Sequence, residues 1–222
     1  MNNIHKLYKE LYKTYGSQGW WPIMGYGYHK HNYSFPRNEN EIFEVCLGSI
    51  LTQNTTFTSV VKSLQNLQNM GCLSADAIEV MNEDELKRAI KPSGYFNQKA
   101  RYILEFIKFY KSLDGTIPTR NELLKVKGIG EETADSILLY GYNRLEFKVD
   151  AYTKRVFTHF ALVDEKAKYS DIKYLVQDSL KECIKNETKL LHTYQEFHAL
   201  IVEHGKRYYS KKPYGVGCFL EI

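Results

Sequence analysis

The chain has 222 residues, 43% of them hydrophobic and 25% charged, with a formal net charge of +4; this is the balance of a soluble globular protein with one substantial core or two small ones packed together. No stretch approaches the roughly eighteen consecutive apolar residues of a membrane span, and the opening "MNNIHKLYKELYKTYG" alternates charged with apolar positions where a signal peptide has an apolar centre, so a cytoplasmic protein is expected. Cys46, Cys72, Cys183 and Cys218 are scattered, with no CxxC pair and no histidine at finger spacing, which argues against a zinc site or a disulfide framework and for reduced thiols.

The dominant spacing is helical. Ile4, Leu7, Tyr8, Leu11, Tyr12 and Tyr15 recur at three- and four-residue intervals and stop at Gly16, predicting an amphipathic helix with a glycine cap. The following "SQGWWPIMGYGYHKHNYSFPRN" obeys neither a helix nor a strand period and reads as a long loop, of the kind that tends to carry function. Asn38, with Glu41 three residues on, opens an almost wholly apolar helix through Ile42, Phe43, Cys46, Leu47, Ile50 and Leu51, whose composition makes it central. Helices are predicted next at "TFTSVVKSLQNLQNMG", ending at Gly71, at "SADAIEVM", and at "NEDELKRAI", where Asn82 and Glu85 stand at capping-box spacing. "KPSGYF" interrupts the pattern, and a long helix then covers Asn97 to Leu113, closed by Asp114 and Gly115. Thr119 and Glu122 offer a further capping box, and helices resume after Asp150 in "AYTKRVFTHFALV", "SDIKYLVQDSLKECI" and "ETKLLHTYQEFHALIVEHG". Only "LEFKV" suggests a strand. The expectation is an all-α protein of about ten short helices. Residues 55–140 are expected to form one helical subdomain and residues 1–54 plus 141–222 a second, packed on the first with a cleft between them.

Within this pattern, "LLKVKGIGEETADSILLYG" sets Gly128 and Gly130 around Ile129 between two helices. Glycines there permit positive φ and close backbone approach, and the amides opening the second helix lie at its positive dipole end, an arrangement that holds a phosphate without reading base sequence. The alternative is an ordinary tight turn with Ile129 plugging the core. Two stretches that mix cations with aromatics, "YFNQKARY" and "HGKRYYSKKPYG", suit a phosphate backbone and unstacked bases, or equally solvated helix faces over packed tyrosines.

Four segments in order carry a family resemblance. "LLKVKGIGEETADSIL" resembles the helix–hairpin–helix element of DNA-repair proteins; "VDAYTKRV" resembles the V-D-T-H-V-x-R-V segment of endonuclease III-type DNA glycosylases; "ILTQNT" and "PSGYFNQKARYI" resemble two further segments of that family. The resemblance implies a DNA-binding cleft between the helical halves and a hairpin, Lys127, Gly128, Ile129, Gly130 and Thr133, that grips duplex DNA. It makes Asp150 the catalytic carboxylate. Breaking a base–sugar bond builds positive charge on the sugar, which a carboxylate beside C1′ stabilises while it orients or deprotonates the attacking water. Asp150 also stands where a helix N-cap belongs, and both uses are compatible. Gln53 would fill the space a flipped nucleotide leaves, since its amide can both donate to and accept from the orphaned partner base; the alternative is a polar cap on the central helix.

Two departures narrow the resemblance. Family members that also cut the strand carry a lysine two residues after the second hairpin glycine, and here that residue is Glu132, which cannot form a Schiff base. Glu132 reads as a helix N-terminal acid or, alternatively, as a second carboxylate of the base pocket. The family's iron–sulfur loop is not expected either, because after "HGKR" only Cys218 remains; DNA contact there would fall to Lys206, Arg207, Lys211 and Lys212. "WWP", "LTQNTTF" and "KPSGYFNQKA" are similar to segments of the cluster-free 3-methyladenine glycosylases of this type. That implies a base pocket lined by Trp21, Pro22 and Phe57 with Lys206 nearby, the aromatic faces attracting a cationic base. The expected protein is a monomeric, monofunctional DNA glycosylase of the cytoplasm and nucleoid. It acts on double-stranded DNA and leaves an abasic site for an AP endonuclease, without a cofactor beyond a possible monovalent cation at the hairpin. The rivals are a bifunctional glycosylase and lyase for oxidised pyrimidines, and a non-catalytic helix–hairpin–helix module.

Overall fold

Asn2 opens the first helix, α1 (Asn3–Tyr15), by accepting the His5 amide at 2.9 Å, and the residues that the spacing marks as one face, Ile4, Leu7 and Leu11, are buried. Gly16, at φ 67°, ends it by returning its N–H to the Tyr12 carbonyl. The computed structural model describes residues 2–222; among them the regular structure is helical, with a single isolated bridge pairing Ile23 with Gly27.

The chain divides into two compact units: Trp21–Gly27 with Ser34–Tyr142, and the stretch up to Trp20 with Tyr28–Tyr33 and Asn143–Ile222. The middle unit holds α2 (Glu39–Leu51), α3 (Phe57–Asn69), α4 (Ala75–Glu79), α5 (Glu83–Ile90), α6 (Phe96–Ser112), α7 (Arg120–Leu123) and α8 (Glu131–Ser136), the last continuing into a wider π-type turn over Ile137–Gly141. Helix α2 is buried on nearly every side, and α3, α6, α8 and the π-turn pack on it. This explains why residues 34–54, expected with the chain termini, belong to the middle unit: an apolar all-round helix needs neighbours on all sides, and they come from residues 57–141.

Caps behave locally as the sequence suggests, with two differences. Asn38 accepts the Glu41 amide at 3.0 Å, but the Glu41 carboxylate takes the amide of Arg37 at 2.7 Å and its guanidinium at 2.5 Å instead of closing a box. Asn82 caps α5 through Asp84 N at 2.9 Å, so Glu85 has no box to complete. Thr119 and Glu122 do form the reciprocal box. Lys99, inside the aromatic and cationic "YFNQKARY", is 2% exposed; its Nζ donates to the Leu51 and Ser93 carbonyls, both at 2.7 Å, and so secures the end of α2.

The terminal unit contains α1, α9 (Ala151–His159), α10 (Tyr169–Cys183) and α11 (Glu187–Tyr208). Helix α11 packs against α1 and α9, and α1 against α10, around Leu7, Phe147, Phe157, Val176, Tyr194 and Phe197. "LEFKV" forms no strand. Its amides find side chains instead of a ladder, Phe147 N donating to Gln177 Oε1 at 3.1 Å and Val149 N to the Tyr169 hydroxyl at 3.3 Å. Helix α11 runs past Gly205, where the sequence suggested a stop; a Cβ there would lie 2.5 Å from the Tyr152 ring, so the glycine lets α9 approach. The loop after α1 is tied down through buried Glu196 of α11, which accepts from Ser17 Oγ at 2.6 Å, Gln18 N at 2.7 Å and Tyr33 OH at 3.1 Å.

Candidate active site

In the terminal unit, "VDAYT" places Asp150 at the N-cap of α9 and Thr153 at the third helical position, so the two cap each other. Asp150 Oδ1 accepts from the Thr153 amide at 2.7 Å and from its hydroxyl at 2.9 Å, while Asp150 N donates to Thr153 Oγ1 at 3.3 Å. The carboxylate is 14% exposed: held from below, yet not shut in. Burial alone would push this carboxyl up, but His198, with Nε2 3.4 Å from Oδ2, the charge of Lys148 and the Thr153 amide outweigh it and hold the group well below the usual carboxylate range. It is therefore ionised near neutral pH. The N-cap reading of Asp150 holds, and the cap that starts α9 also fixes the aim of the side chain.

Lys206 and Arg207 occupy the last turn of α11. Arg207 is drawn to Glu203, with N–O distances of 2.7 and 3.1 Å, and its guanidinium lies 4.7 Å from the Tyr15 ring centre; Lys206 is 49% exposed and 3.9 Å from Glu203. Arg207 is thus partly neutralised, while Lys206 is held less closely by the same carboxylate; both are exposed. Nearby, Cys218 Sγ lies 3.4 Å from His204 Nε2, whose other nitrogen meets the Tyr15 hydroxyl at 2.8 Å.

The hairpin sits in the middle unit. Arg120 of α7 donates to Asp135 of α8 at 2.7 and 3.2 Å and reaches Glu131 at 3.1 Å, so one guanidinium clamps the two helices on either side of the turn. Of the two glycines only Gly128 has positive φ, at 92°, and a Cβ on it would run into the Tyr102 ring. Gly130 is the extended N-cap of α8, at φ −93°, and a Cβ there would meet nothing within 4 Å. Nothing within the protein requires this glycine, and the first amides of α8 have no partner inside the helix. Gly130→Ala is accordingly expected to leave Tm unchanged and to weaken duplex binding by about tenfold, on the order of 1.4 kcal/mol. Fluorescence anisotropy with a labelled duplex measures it, and unchanged affinity would show that no backbone approaches there.

Three hairpin-side residues are held within the free protein. Ile129 is 5% exposed within the core, so it is the plug and only its backbone can reach DNA. Thr133 is buried as well and accepts from Gln53 Nε2 at 3.0 Å. That same Gln53 nitrogen donates to the Gly128 carbonyl at 2.8 Å, so Gln53 braces the hairpin in the free protein. The exposed residue beside it is Asn54, at φ 51°. Lys127 is exposed and borders a recess of about 370 Å³ with Tyr95, Gln98, Arg101 and Tyr102, which gathers part of the "YFNQKARY" patch at the hairpin. The Gly128 and Val126 carbonyls accept from Gln53 Nε2 and from the Ile129 amide. Glu132 is exposed in the first turn of α8, the place of a helix-dipole acid.

The aromatic group also belongs to the middle unit. Trp21 is 2% exposed; it meets Phe57 edge-on at 5.4 Å and Tyr140 at 5.7 Å and lies over Gly48, where a Cβ would be 2.9 Å from its ring. Trp21 is thus packed by its neighbours in the free protein, and Pro22 and Phe57 are the partly open members of the expected pocket. Trp20, in the other unit, stacks obliquely on Tyr28 at 5.9 Å. One helical turn before Gly48, Glu44 is 5% exposed and accepts the Met24 amide at 2.7 Å, anchoring the loop that carries Trp21. Burial, aided by Glu41 and opposed by the Met24 amide, pushes its carboxyl up to about 7. Since the folded chain binds this proton more tightly than the unfolded one, stability falls as pH rises from the ordinary carboxylate range to about 7 and then levels. Glu44→Gln is expected to stabilise the protein by about 1–3 kcal/mol at pH 8 and by little at pH 4.5. Urea unfolding at the two pH values measures this, and an equal effect at both would contradict it.

The sequence pattern gave no sign of His198, Arg120 or Asp135. Each acts across a distance in the chain, and an Arg, His or Asp on a helix looks the same whether it is solvated or paired.

The helical architecture, the glycine hairpin and a capped, ionised aspartate define a class of base-excision proteins, and comparison with known proteins agrees. A family model described as "HhH-GPD superfamily base excision DNA repair protein" matches residues 47–182. A Methanocaldococcus jannaschii protein, provisionally named a DNA repair glycosylase, is 39% identical over 226 residues, covering 97% of this chain and 92% of its own. Endonuclease III of Sulfolobus acidocaldarius is 29% identical over 186 residues, covering 81% and 79%. The H. pylori 3-methyladenine DNA glycosylase bound to 1,N6-ethenoadenine matches with a TM-score of 0.73 at 27% identity, over 93% of this chain and 98% of its own. An endonuclease III–DNA covalent intermediate shares the fold, at TM-score 0.73 and 16% identity over 98% and 93%. The chain belongs to the HhH-GPD superfamily of base excision DNA repair proteins and is a DNA N-glycosylase, a hydrolase of base–sugar bonds.

Proposed function

We infer that this glycosylase is monofunctional and removes alkylated bases of the 3-methyladenine kind. The observation that carries the reading is the ionised, doubly capped Asp150, combined with an exposed glutamate, not an amine, at position 132. A nucleotide turned out of the duplex brings C1′ to the carboxylate; as the bond to the base lengthens, the sugar gains positive charge, which Asp150 stabilises while it orients the water that replaces the base. A methylated, cationic adenine leaves readily, so the site needs little acid catalysis, and aromatic faces such as Phe57 favour a cation by roughly 0.5–2 kcal/mol. Likeness to the H. pylori enzyme supports the lesion class.

Burial pushes the Lys99 amine down to about 8, the kind of shift that activates a Schiff-base lysine, but both of its carbonyl bonds and its 2% exposure keep it from a substrate. In this reading water is the nucleophile. The protein acts on duplex DNA as a monomer in the nucleoid, without an iron–sulfur cluster, and hands an abasic site to an AP endonuclease. A panel of duplexes, each with one lesion and scored with and without alkali, tests the reading. Release of 3-methyladenine with cleavage only after alkali is expected; strand breaks without alkali, or preference for oxidised pyrimidines, would overturn it.

A further inference from the structure

The two oxygens of Asp150 have unequal surroundings. Oδ1 is consumed by the start of α9, with Thr153 donating to it twice. Oδ2 instead faces the imidazole of His198, with Nε2 3.4 Å away. His198 lies in the middle of α11 and is 1% exposed, and α9 and α11 pack closely, so the ring is fixed behind the carboxylate and cannot turn to solvent. We propose that His198 is the positioning residue of Asp150: it donates from Nε2 to Oδ2 and so holds the oxygen left outside the helix cap in place for the deoxyribose. This rests on Asp150 being the catalytic carboxylate. It assigns the reacting oxygen as Oδ2 and gives α11 a part in catalysis without contact to substrate.

The physical need is clear once DNA is bound. Phosphates impose a negative potential that favours protonation of a nearby carboxyl. A donor on the buried side opposes this and keeps the carboxylate ionised and aimed. The groups around the pair are Lys148 on the preceding segment, Thr153 within α9, and Tyr169 at the start of α10, whose hydroxyl takes the Val149 amide. From α1, Tyr8 and Tyr15 meet Phe197 and His204 on either side along α11.

The test combines the pH titration of the Asp150 side-chain 13C resonance in the free protein with single-turnover base release, for wild type, His198→Ala, His198→Gln and Asp150→Asn. In His198→Ala the carboxyl midpoint is expected to rise by about one pH unit or more. Base release should fall about 10- to 100-fold, as when an orienting partner is removed, with duplex affinity unchanged, and His198→Gln, which keeps a donor, should recover much of the rate. An unchanged midpoint would overturn the proposal, including when the rate falls, because a packing defect alone would not move the titration. If His198→Ala does not fold, the titration in His198→Phe, which fills the space without a donor, decides in the same way: a midpoint above that of wild type supports the pair, and an unchanged one overturns it. Asp150→Asn that still releases base would overturn the catalytic reading itself, whatever the titration shows of the pair.

Discussion

Asp150→Asn is expected to lower base release by about 10²–10⁴-fold, the contribution of a positioned group acting on charge and proton in the transition state. Asparagine is nearly as good an N-cap as aspartate, so α9 should form and duplex affinity should hold; the loss then falls on the chemical step, read in single-turnover kinetics with saturating enzyme. A loss of affinity with normal chemistry would place Asp150 among the DNA contacts instead. The wild-type pH profile carries a matching expectation. Because its surroundings hold Asp150 well below the usual carboxylate range, the depressed group keeps its charge as pH falls through 6 and 5, and activity should decline on the acid side only where the fold itself begins to fail. An acid limb near pH 6 would assign the essential base elsewhere.

Gly128→Ala is the second large effect, on stability and on binding together. A positive φ costs a residue with a side chain roughly 1–2 kcal/mol, and the Tyr102 ring occupies the space a Cβ needs, adding about 1–3 kcal/mol of overpacking. A loss near 3 kcal/mol lowers Tm by about 10 °C in a chain of this size. The turn would also withdraw its carbonyl from Gln53, so duplex affinity should drop as well. The contrast with Gly130→Ala is diagnostic, since that change should weaken binding with Tm intact. Equal effects on Tm at the two positions would refute the division of labour between one glycine set by the fold and one kept bare for the ligand.

What the sequence made legible was local. Caps at Asn38, Thr119 and Asp150 lie within three residues of their partners, and helix faces repeat within a turn, so spacing exposes them. The glycine turn and the cap at Asp150 came from the same short-range signals, and their DNA-repair reading from the family resemblance of the segments around them. What stayed hidden depends on contacts between distant segments. Gln53 looked like a free amide until the Gly128 carbonyl and Thr133 hydroxyl proved to hold it. Gly205 ends the stretch read as helical, yet it sits inside α11 with the Tyr152 ring filling the space beside it. Trp21 looked like an open stacking surface, yet Gly48, a residue that weakens a helix on propensity alone, is what makes room for its ring. The π-turn at Ile137–Gly141 and the His198–Asp150 contact follow the same rule: no periodicity announces them.

The central claim, that this chain frees a damaged base with water and without a covalent link to DNA, meets its most direct test in a single incubation. A methylated duplex carrying labelled 3-methyladenine is treated with the enzyme in the presence of borohydride, and the products are resolved as free base, intact strand and protein–DNA adduct. The account predicts labelled free base and uncut strand with no adduct; a trapped adduct, or no free base at all, would contradict it.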